Sequence, residues 1–218
     1  MRICVIIPAY NESKTIAGLI KQIRQISKDV VVIDDGSTDS TALISKEHGA
    51  TVIKNTGNLG KGASLTLGLK YAVGNNFDAA ITMDGDGQHL PEDITQFIKK
   101  AESEDIGIVI GNRMQATGNM PLLRVFTNRF MSWLISRIVG QKIPDTQCGF
   151  RLIKSDLIKK LKFTTQRFET ESEILIQASR LGYKIESLAI KSIYQRERSQ
   201  VNPLIDTIRF IGFICRQK

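Results

Sequence analysis

The sequence predicts an α/β fold with a mainly parallel central sheet flanked by helices. Short, continuous apolar runs recur along the chain, as is typical of strands buried on both faces of a sheet. Between them lie stretches with apolar residues at helical spacing, and this alternation is the pattern of βαβ units with right-handed crossovers. The chain has 218 residues, 42% of them hydrophobic and 24% charged, which excludes disordered and collagen-like classes.

The predicted elements follow in order from the N-terminus. Residues 3–7 form an apolar run closed by Pro8, which predicts the first strand, and residues 13–26 carry isoleucine and leucine at helical spacing, which predicts the first helix. By the same criteria we expect strands at 30–33, 51–54, 79–83, 106–110, 148–153 and 186–190, and helices at 40–48, 61–73, 91–100, 121–139, 169–181 and 203–216. No linker or repeat interrupts this series, so we expect residues 1–218 to form a single domain.

The predicted helix at 121–139 has two interpretations. Bulky apolar residues recur at every fourth position and polar residues do so on the other face: Phe126, Phe130, Leu134 and Ile138 against Arg124, Asn128, Ser132 and Ser136. The apolar face either packs on a core or lies on a membrane surface, and the sequence leaves both open. The predicted helix at 203–216 is also basic and amphipathic.

Charge is distributed unevenly along the chain. Residues 1–109 contain 11 Lys and Arg against 14 Asp and Glu, whereas residues 110–218 contain 19 against 8. The second half is therefore expected to meet an anion: nucleic acid, a phosphorylated substrate or an anionic membrane surface. The absence of any recognisable nucleic-acid module argues against the first of these.

Cysteine usage and hydropathy indicate the compartment. Cys4, Cys148 and Cys215 are odd in number and form no C-x-x-C pair, so we expect neither a disulfide framework nor a zinc site. The first apolar stretch is too short for a signal peptide, and no apolar run reaches about 18 residues. We therefore expect a protein of the reducing cytoplasm.

Unusual residues collect where the predicted strands end, which is where open parallel sheets bind ligands. Three such segments stand out, and together they place six carboxylates at these strand ends: residues 8–12, 34–39 and 84–89. Crowded carboxylates raise one another's pKa unless a cation compensates them. Asp84 and Asp86 lie two apart on an extended segment, and such hard oxygen ligands select Mg²⁺ or Mn²⁺. By contrast, the glycine-rich residues 57–62 lack the spacing of a Walker phosphate loop.

These segments together resemble the family 2 glycosyltransferases of the GT-A fold, most closely the polyprenol- or dolichol-phosphate sugar synthases. The resemblance covers about two thirds of the chain. It rests on six motifs in this order: Ile6-Ile-Pro-Ala-Tyr-Asn-Glu12, Val32-Ile-Asp-Asp-Gly-Ser-Thr-Asp39, Asn58-Leu-Gly-Lys-Gly62, Met83-Asp-Gly-Asp-Gly-Gln-His89, Gly111-Asn-Arg113 and Asp145-Thr-Gln-Cys-Gly-Phe-Arg151.

The resemblance implies a division of labour between the two halves. Residues 1–110 would bind a nucleotide sugar and residues 111–218 an acceptor. The implied nucleotide-sugar contacts are Pro8, Tyr10, Glu12, Ile33, Asp35, Asp84, Gly85 and Asp86, and the implied ligands of Mg²⁺ or Mn²⁺ are Asp86, Gln88 and Asp84. The metal would act as a Lewis acid on the departing diphosphate.

On the acceptor side, the resemblance implies that arginines hold a lipid phosphate. Arg113 and Arg124 are the expected ligands, with Arg129 in reserve, since a guanidinium pairs with phosphate oxygens at two points. Asp86, Asp145 and Arg113 are the implied catalytic residues, and Asp145 serves either as a base or as an orienter of arginines. The resemblance also implies a structural role for Arg151, and either helix capping or an acidic site role for Glu169 and Glu171. Relatives usually have a lysine that contacts the diphosphate where this chain has Gln200. Arg196 or Arg198 is therefore expected to make that contact.

The implied reaction is an inverting transfer from GDP-mannose or a UDP-sugar to a polyprenyl phosphate. The alternative acceptor is a hydroxyl of a glycan or lipid in cell-envelope polysaccharide synthesis, a chemistry that requires a base. We expect the protein to act peripherally at the inner face of the membrane, where the helices at 121–139 and 203–216 or a membrane-anchoring partner subunit provide attachment.

Overall fold

The computed structural model describes residues 1–102, 106–115, 117, 118, 120–191, 193 and 212. Its strands are β1 (Ile3–Ala9), β2 (Val30–Asp34), β3 (Thr51–Lys54), β4 (Ala79–Thr82), β5 (Ile106–Asn112), β6 (Arg151–Lys154) and β7 (Lys184–Ala189). Its α-helices are α1 (Ile16–Ile23), α2 (Thr41–Glu47), α3 (Lys61–Gly74), α4 (Ile94–Lys100), α5 (Leu122–Val139), α6 (Ser155–Ile158) and α7 (Glu169–Arg180). The predicted helix at 203–216 lies outside the described residues.

All these strands join one sheet in the order β3-β2-β1-β4-β6-β5-β7. The pairs among β1 to β4 are parallel, as is the β5–β7 pair, whereas β6 runs antiparallel to both β4 and β5. The predicted α/β fold with a mainly parallel sheet is therefore confirmed. Because β6 is reversed, β5 and β7 run in the same direction as β4, and their carboxyl ends reach the same edge.

The core forms where the apolar runs predicted it. Strands β1, β2, β4 and β5 are buried along almost their whole length, and α1 covers the sheet with Ile16, Leu19, Ile20 and Ile23. Helix α3 lies so close to β1 that a Cβ added at Gly68 would stand 2.3 Å from the Ile6 side chain. Cys4 and Cys148 are buried free thiols, and Cys215 lies outside the described residues.

Several boundaries differ from the sequence prediction. Helix α1 begins at Ile16 rather than at residue 13, because residues 12–15 form a turn in which the Thr15 and Ile16 amides both donate to the Glu12 carbonyl. Strand β6 begins at Arg151 rather than at residue 148, and the short helix α6 was not predicted. The first turn of the predicted helix at 91–100 is a 3-10 turn.

Helix α5 packs on the protein with a largely polar face, whereas an amphipathic helix ordinarily buries its apolar face. The face that packs on the protein contains Asn128, Ser132, Ile135 and Val139. Phe126, by contrast, is 70% exposed and Phe130 44% exposed. Of the two interpretations, packing of the apolar face on the core is therefore wrong for these phenylalanines. Among the described residues, no helix is both long and apolar enough to cross a bilayer.

Hydrogen bonds explain why the polar face of α5 is the buried one. Ser132 Oγ accepts from the Thr146 amide at 2.9 Å, and Ser136 Oγ accepts from the Ile143 amide at 2.9 Å. These hydroxyls supply partners for backbone groups of the loop that follows α5, which would otherwise be buried without one. The helix thus anchors the loop that leads to Asp145.

Candidate active site

The candidate site lies at the carboxyl edge of the parallel strands. Ala9 at the end of β1 pairs with Asp34 at the end of β2, and β4 ends nearby at Thr82. Reversed strand β6 starts opposite Thr82 with Arg151, and β5 ends at Asn112 on the same edge. The strand directions therefore bring together five segments: residues 10–12, 35–39, 83–89, 113 and 145–150.

The first two segments are held to each other by hydrogen bonds. Asn11 has a left-handed φ of 58°, and its side-chain oxygen accepts from the Thr38 amide at 2.9 Å. The Glu12 amide donates to Thr41 Oγ1 at 2.8 Å. Hydrogen bonds from Thr41 and Ser13 outweigh the effect of burial and lower the pKa of Asp39 to about 2. The segments 10–12 and 35–39 are therefore held together partly by Ser13 and Thr41, which lie outside the sequence motifs.

The predicted nucleotide contacts differ in accessibility. Pro8, Tyr10 and Glu12 are partly exposed beside the edge, whereas Ile33 is fully buried in the sheet. A contact between Ile33 and a nucleotide therefore stays a prediction. Gly85 is buried, and a Cβ there would stand 3.3 Å from the Glu12 side chain.

Asp35 organises a loop in the structure. Its carboxylate accepts from Asn55 Nδ2 at 2.8 Å, from the Leu59 amide at 3.0 Å and from the Gly60 amide at 2.9 Å. These bonds hold residues 57–60 against the end of β2. A direct contact between Asp35 and a nucleotide stays a prediction.

Lys61 is a site residue that the sequence reasoning missed. It opens α3, and its ammonium lies 2.6 Å from Asp84 Oδ1 and 3.1 Å from Glu171 Oε1. Burial alone would raise the pKa of Asp84, but the Lys61 ammonium holds it well below its usual range. Asp84 therefore has its countercharge within the protein. Its position could have indicated a site role, because Lys61 directly follows Gly60 at the end of the loop between β3 and α3.

Asp86 is in the opposite electrostatic state. Burial and the neighbouring charge of Asp84 raise its pKa, against the smaller effects of the Gln88 amide, Lys61 and Arg124. The Gln88 amide donates to Asp86 Oδ1 at 3.0 Å. A carboxylate whose ionised form is destabilised in this way is a group whose charge a bound cation would compensate.

The residues present fit a magnesium or manganese ion. Across the described part of the chain, no three His, Cys, Asp or Glu side chains form a closed metal cluster. Mg²⁺ does not require one, because it commonly binds one or two carboxylates together with water and substrate phosphates. Asp86, with Asp84 and Gln88 beside it, provides an oxygen donor set of that kind.

Arg113 and Asp145 form a buried ion pair. Arg113 Nε donates to Asp145 Oδ2 at 2.7 Å, and Nη2 donates to Oδ1 at 3.0 Å. The Arg113 and Gln147 amides donate to the same carboxylate at 3.2 Å. Asp145 is wholly buried and Arg113 nearly so. This geometry favours Asp145 as an orienter of Arg113 over Asp145 as a base.

The two other predicted phosphate ligands lie on different sides of α5. Arg124 is partly buried, and its charge contributes to the pKa of Asp86, which places it near the acidic edge. Arg129 is exposed, and a separation of five residues turns it about 140° around the helix from Arg124. The two side chains leave the helix in different directions, so Arg129 stays a reserve prediction. Arg196, Arg198 and Gln200 lie outside the described residues.

The structural role expected for Arg151 is confirmed. Its guanidinium donates to the carbonyls of Cys148 at 2.8 Å, Thr146 at 2.8 Å and Glu171 at 2.6 Å. These bonds connect the segment before β6 to the first turn of α7. Arg151 is 1% exposed, so it supports the site from within the protein.

His89 lies beneath the acidic edge. Its Nε2 is 3.9 Å from Cys148 Sγ, and its ring centroid is 5.3 Å from that of Phe150. Burial lowers the pKa of His89 to about 4 and raises the pKa of Cys148 to about 12. Both groups are therefore neutral near pH 7.

We expect His89 to make the protein sensitive to acid. An unfolded histidine takes up a proton below about pH 6.5, whereas folded His89 stays neutral down to about pH 4, so unfolding becomes more favourable as the pH falls between these values. From pH 7 to pH 5 the free energy of unfolding should fall by about 2 kcal/mol more than in His89→Gln. Urea titrations in metal-free buffer at both pH values measure this, and equal losses in the two proteins would contradict it.

Comparison with known proteins identifies the family. The profile described as Glycosyl transferase family 2 matches residues 4–162. A UDP-N-acetylglucosamine–dolichyl-phosphate N-acetylglucosaminyltransferase from Methanococcus voltae is 33% identical over 215 residues, covering 88% of this chain and 86% of that protein. An undecaprenyl-phosphate mannosyltransferase from Micrococcus luteus is 26% identical over 207 residues, covering 87% of this chain and 83% of that protein.

Solved structures agree on the fold. Glucosyl-3-phosphoglycerate synthase from Mycobacterium tuberculosis, crystallised with Mn²⁺, UDP-glucose and phosphoglyceric acid, superimposes with a TM-score of 0.77 at 20% identity, covering 98% of this chain and 78% of that chain. At that identity the likeness establishes the fold alone, which is GT-A. Together with the family profile and the 33% identical relative, it confirms the resemblance drawn from the motifs. The chain belongs to glycosyl transferase family 2 and is a glycosyltransferase of the GT-A fold.

Proposed function

We propose that the protein transfers a sugar from a nucleotide diphosphate sugar to the phosphate of a polyprenyl phosphate. In this reaction an acceptor phosphate oxygen attacks the anomeric carbon, and the bond from that carbon to the diphosphate breaks. A single displacement inverts the configuration at the anomeric carbon. Residues 1–110 bind the donor and residues 111–218 the acceptor, within one domain.

The observation that carries the proposal is the opposition of charges at one sheet edge. Asp84 and Asp86 lie on one side, while Arg113 and Arg124 are close enough to influence their ionisation. The carboxylates would hold a divalent ion that supplies charge compensation for a diphosphate, and the guanidinium groups are suited to a phosphate. Two relatives are named for transfer to dolichyl or undecaprenyl phosphate, which supports the same acceptor class.

The state of Asp145 supports a phosphate acceptor over a hydroxyl. A hydroxyl must lose its proton during attack and needs a positioned base. Asp145 was the candidate base, but both its oxygens accept hydrogen bonds from Arg113. A phosphate monoester is already anionic near pH 7 and needs positioning instead. Arg113, fixed by Asp145, and Arg124 supply that positioning in this proposal.

Asp86, Asp84 and Gln88 would hold a Mg²⁺ or Mn²⁺ ion, which supplies electrostatic stabilisation for the charge that develops on the departing diphosphate. Lys61 adds a fixed positive charge beside Asp84. Solved structures of the same fold contain Mn²⁺ or Mg²⁺ together with UDP, which supports a divalent ion. Arg196 or Arg198 completes the diphosphate contacts in this proposal.

The proposed acceptor also implies where the protein works. A polyprenyl chain resides in a bilayer, so the site must reach a membrane surface, and we place the protein at the cytoplasmic face, where nucleotide sugars are present. Attachment is peripheral in this proposal, through the chain itself or through a membrane-anchoring partner subunit.

A transfer assay tests the proposed function. The full-length protein is incubated with radiolabelled GDP- and UDP-sugars, a polyprenyl phosphate and Mn²⁺, and the organic phase is counted. We expect a labelled lipid that mild acid hydrolyses, since a sugar phosphate is more acid-labile than an ordinary glycoside. An acid-resistant product would indicate a hydroxyl acceptor. No labelled product across the donors would contradict the proposal.

A further inference from the structure

The outer face of α5 exposes several large apolar side chains. It is the stripe formed by Leu122, Leu123, Phe126, Arg129, Phe130, Trp133 and Arg137. Leu122 is 87% exposed, Phe126 70% and Trp133 54%. At about 100° per residue these side chains span about 120° of the helix circumference. The buried residues Asn128, Ser132, Ile135 and Val139 lie on the other side of the helix. Contiguous exposed apolar surface of this kind marks a docking site.

The charged residues of α5 are all of one sign. Residues 122–139 contain Arg124, Arg129 and Arg137 and no Asp or Glu. The Arg137 guanidinium lies 5.4 Å from the centroid of the Trp133 ring, and the Phe130 and Trp133 rings stack with centroids 6.1 Å apart. An aromatic stripe flanked by arginines combines insertion at a lipid interface with attraction to anionic headgroups.

We propose that the outer face of α5 docks on an anionic lipid bilayer and places the acceptor end of the site at its surface. This rests on the proposed function, because a polyprenyl phosphate presents its phosphate at a bilayer surface. Two other occupants fit the charges less well. A second copy of the face would bring arginines against arginines, and residues 194–218 are themselves basic, with five Lys and Arg against two Asp and Glu.

The position of the face relative to the site supports this assignment. Arg124, whose charge acts on Asp86, is about 160° around the helix from both Leu122 and Phe126, on the side turned toward the protein. On that side Ser132 also accepts from the amide of Thr146, the residue after Asp145. The helix that lies on lipid is thus the helix that holds the loop orienting Arg113.

Vesicle flotation tests the docking. The full-length protein is mixed with phosphatidylcholine vesicles with and without phosphatidylglycerol and floated through a density gradient. The test variant is Phe126→Glu/Phe130→Glu. The matched control is Leu43→Glu/Leu181→Glu, which makes the same chemical change at side chains that are 60% and 44% exposed elsewhere. We expect the wild type and the control to float with the anionic vesicles, and the test variant to bind them at least tenfold more weakly.

Other results would overturn the docking. The proposal is wrong if the wild type does not float, if the test variant floats like the wild type, or if the control loses binding equally. A dimer in lipid-free sedimentation that only the test variant abolishes would assign the face to a second copy. A lowered unfolding temperature of the test variant without lipid would assign it to another part of this chain.

A second measurement separates this inference from the proposed function. Transfer to a short-chain, water-soluble isoprenyl phosphate without vesicles should proceed equally in the wild type and in Phe126→Glu/Phe130→Glu. Vesicle binding without transfer in either protein would overturn the proposed function and leave the docking standing. Transfer by a wild-type protein that does not bind vesicles would overturn the docking and leave the proposed function standing.

Discussion

Asp86→Asn is expected to lower sugar transfer about a thousandfold while leaving the protein at least as stable as the wild type. The loss of activity follows from removing the carboxylate that would hold the divalent ion beside the diphosphate. The stability follows from the raised pKa of Asp86, which means that its ionised form is disfavoured in the folded protein by burial and by Asp84. A neutral amide removes that repulsion. Steady-state transfer rates and urea unfolding measure the two effects.

Asp84→Asn is the matched control, because it removes the same charge two residues away. Asp84 lies 2.6 Å from Lys61, so among the described residues its loss leaves that ammonium with Glu171 as its remaining close carboxylate. Loss of such a charge-assisted contact lowers the free energy of unfolding by about 1.5–3 kcal/mol. The two variants should therefore shift stability in opposite directions or by clearly different amounts. Equal destabilisation would show that the two carboxylates are not in the different electrostatic states described above.

Asp145→Ala should be the most destabilising single change in the site. It leaves the buried guanidinium of Arg113 without its carboxylate, and breaking a buried pair in this way costs about 3–5 kcal/mol. We expect transfer to be lost as well, because Arg113 loses its orientation. Urea unfolding at pH 7 measures the first effect, and a destabilisation below about 1 kcal/mol would contradict the buried pair.

The double variant Arg113→Met/Asp145→Leu separates stability from function. Replacing both members of a buried ion pair by apolar residues of similar volume is often neutral or stabilising. We expect this variant to recover most of the stability lost in Asp145→Ala and none of the transfer. Recovery of transfer together with stability would show that Arg113 does not contact the acceptor.

The strands were predictable because each is an apolar run buried on both faces. Strands β1 and β2 illustrate this, since their burial in the sheet requires the continuous isoleucine and valine that marked them. The clustering of Asp84, Glu12 and Asp35 at one edge followed from the parallel direction of their strands. Family membership followed from the spacing of the motifs, which the profile match confirms.

Long-range pairings were not predictable from local pattern. Nothing in residues 151–154 signals that β6 is antiparallel, although this reversal brings Arg151 opposite Thr82. The contacts of Lys61 with Asp84 and Glu171 join residues 23 and 110 positions away, so only the folded chain reveals them. Helix periodicity predicted an amphipathic α5 but could not decide which face is buried. That outcome depends on hydrogen bonds between Ser132, Ser136 and a loop that follows the helix.

Calorimetric titration of a nucleoside diphosphate into the wild type and Asp86→Asn tests the central claim most directly. GDP and UDP are each titrated with Mn²⁺ present and again after chelation. We predict that Mn²⁺ strengthens binding of one nucleotide at least tenfold in the wild type, and that Asp86→Asn abolishes this gain while retaining the weak metal-free binding. Equal affinity with and without the metal in the wild type would contradict the assignment of the acidic edge as a cation site for the diphosphate.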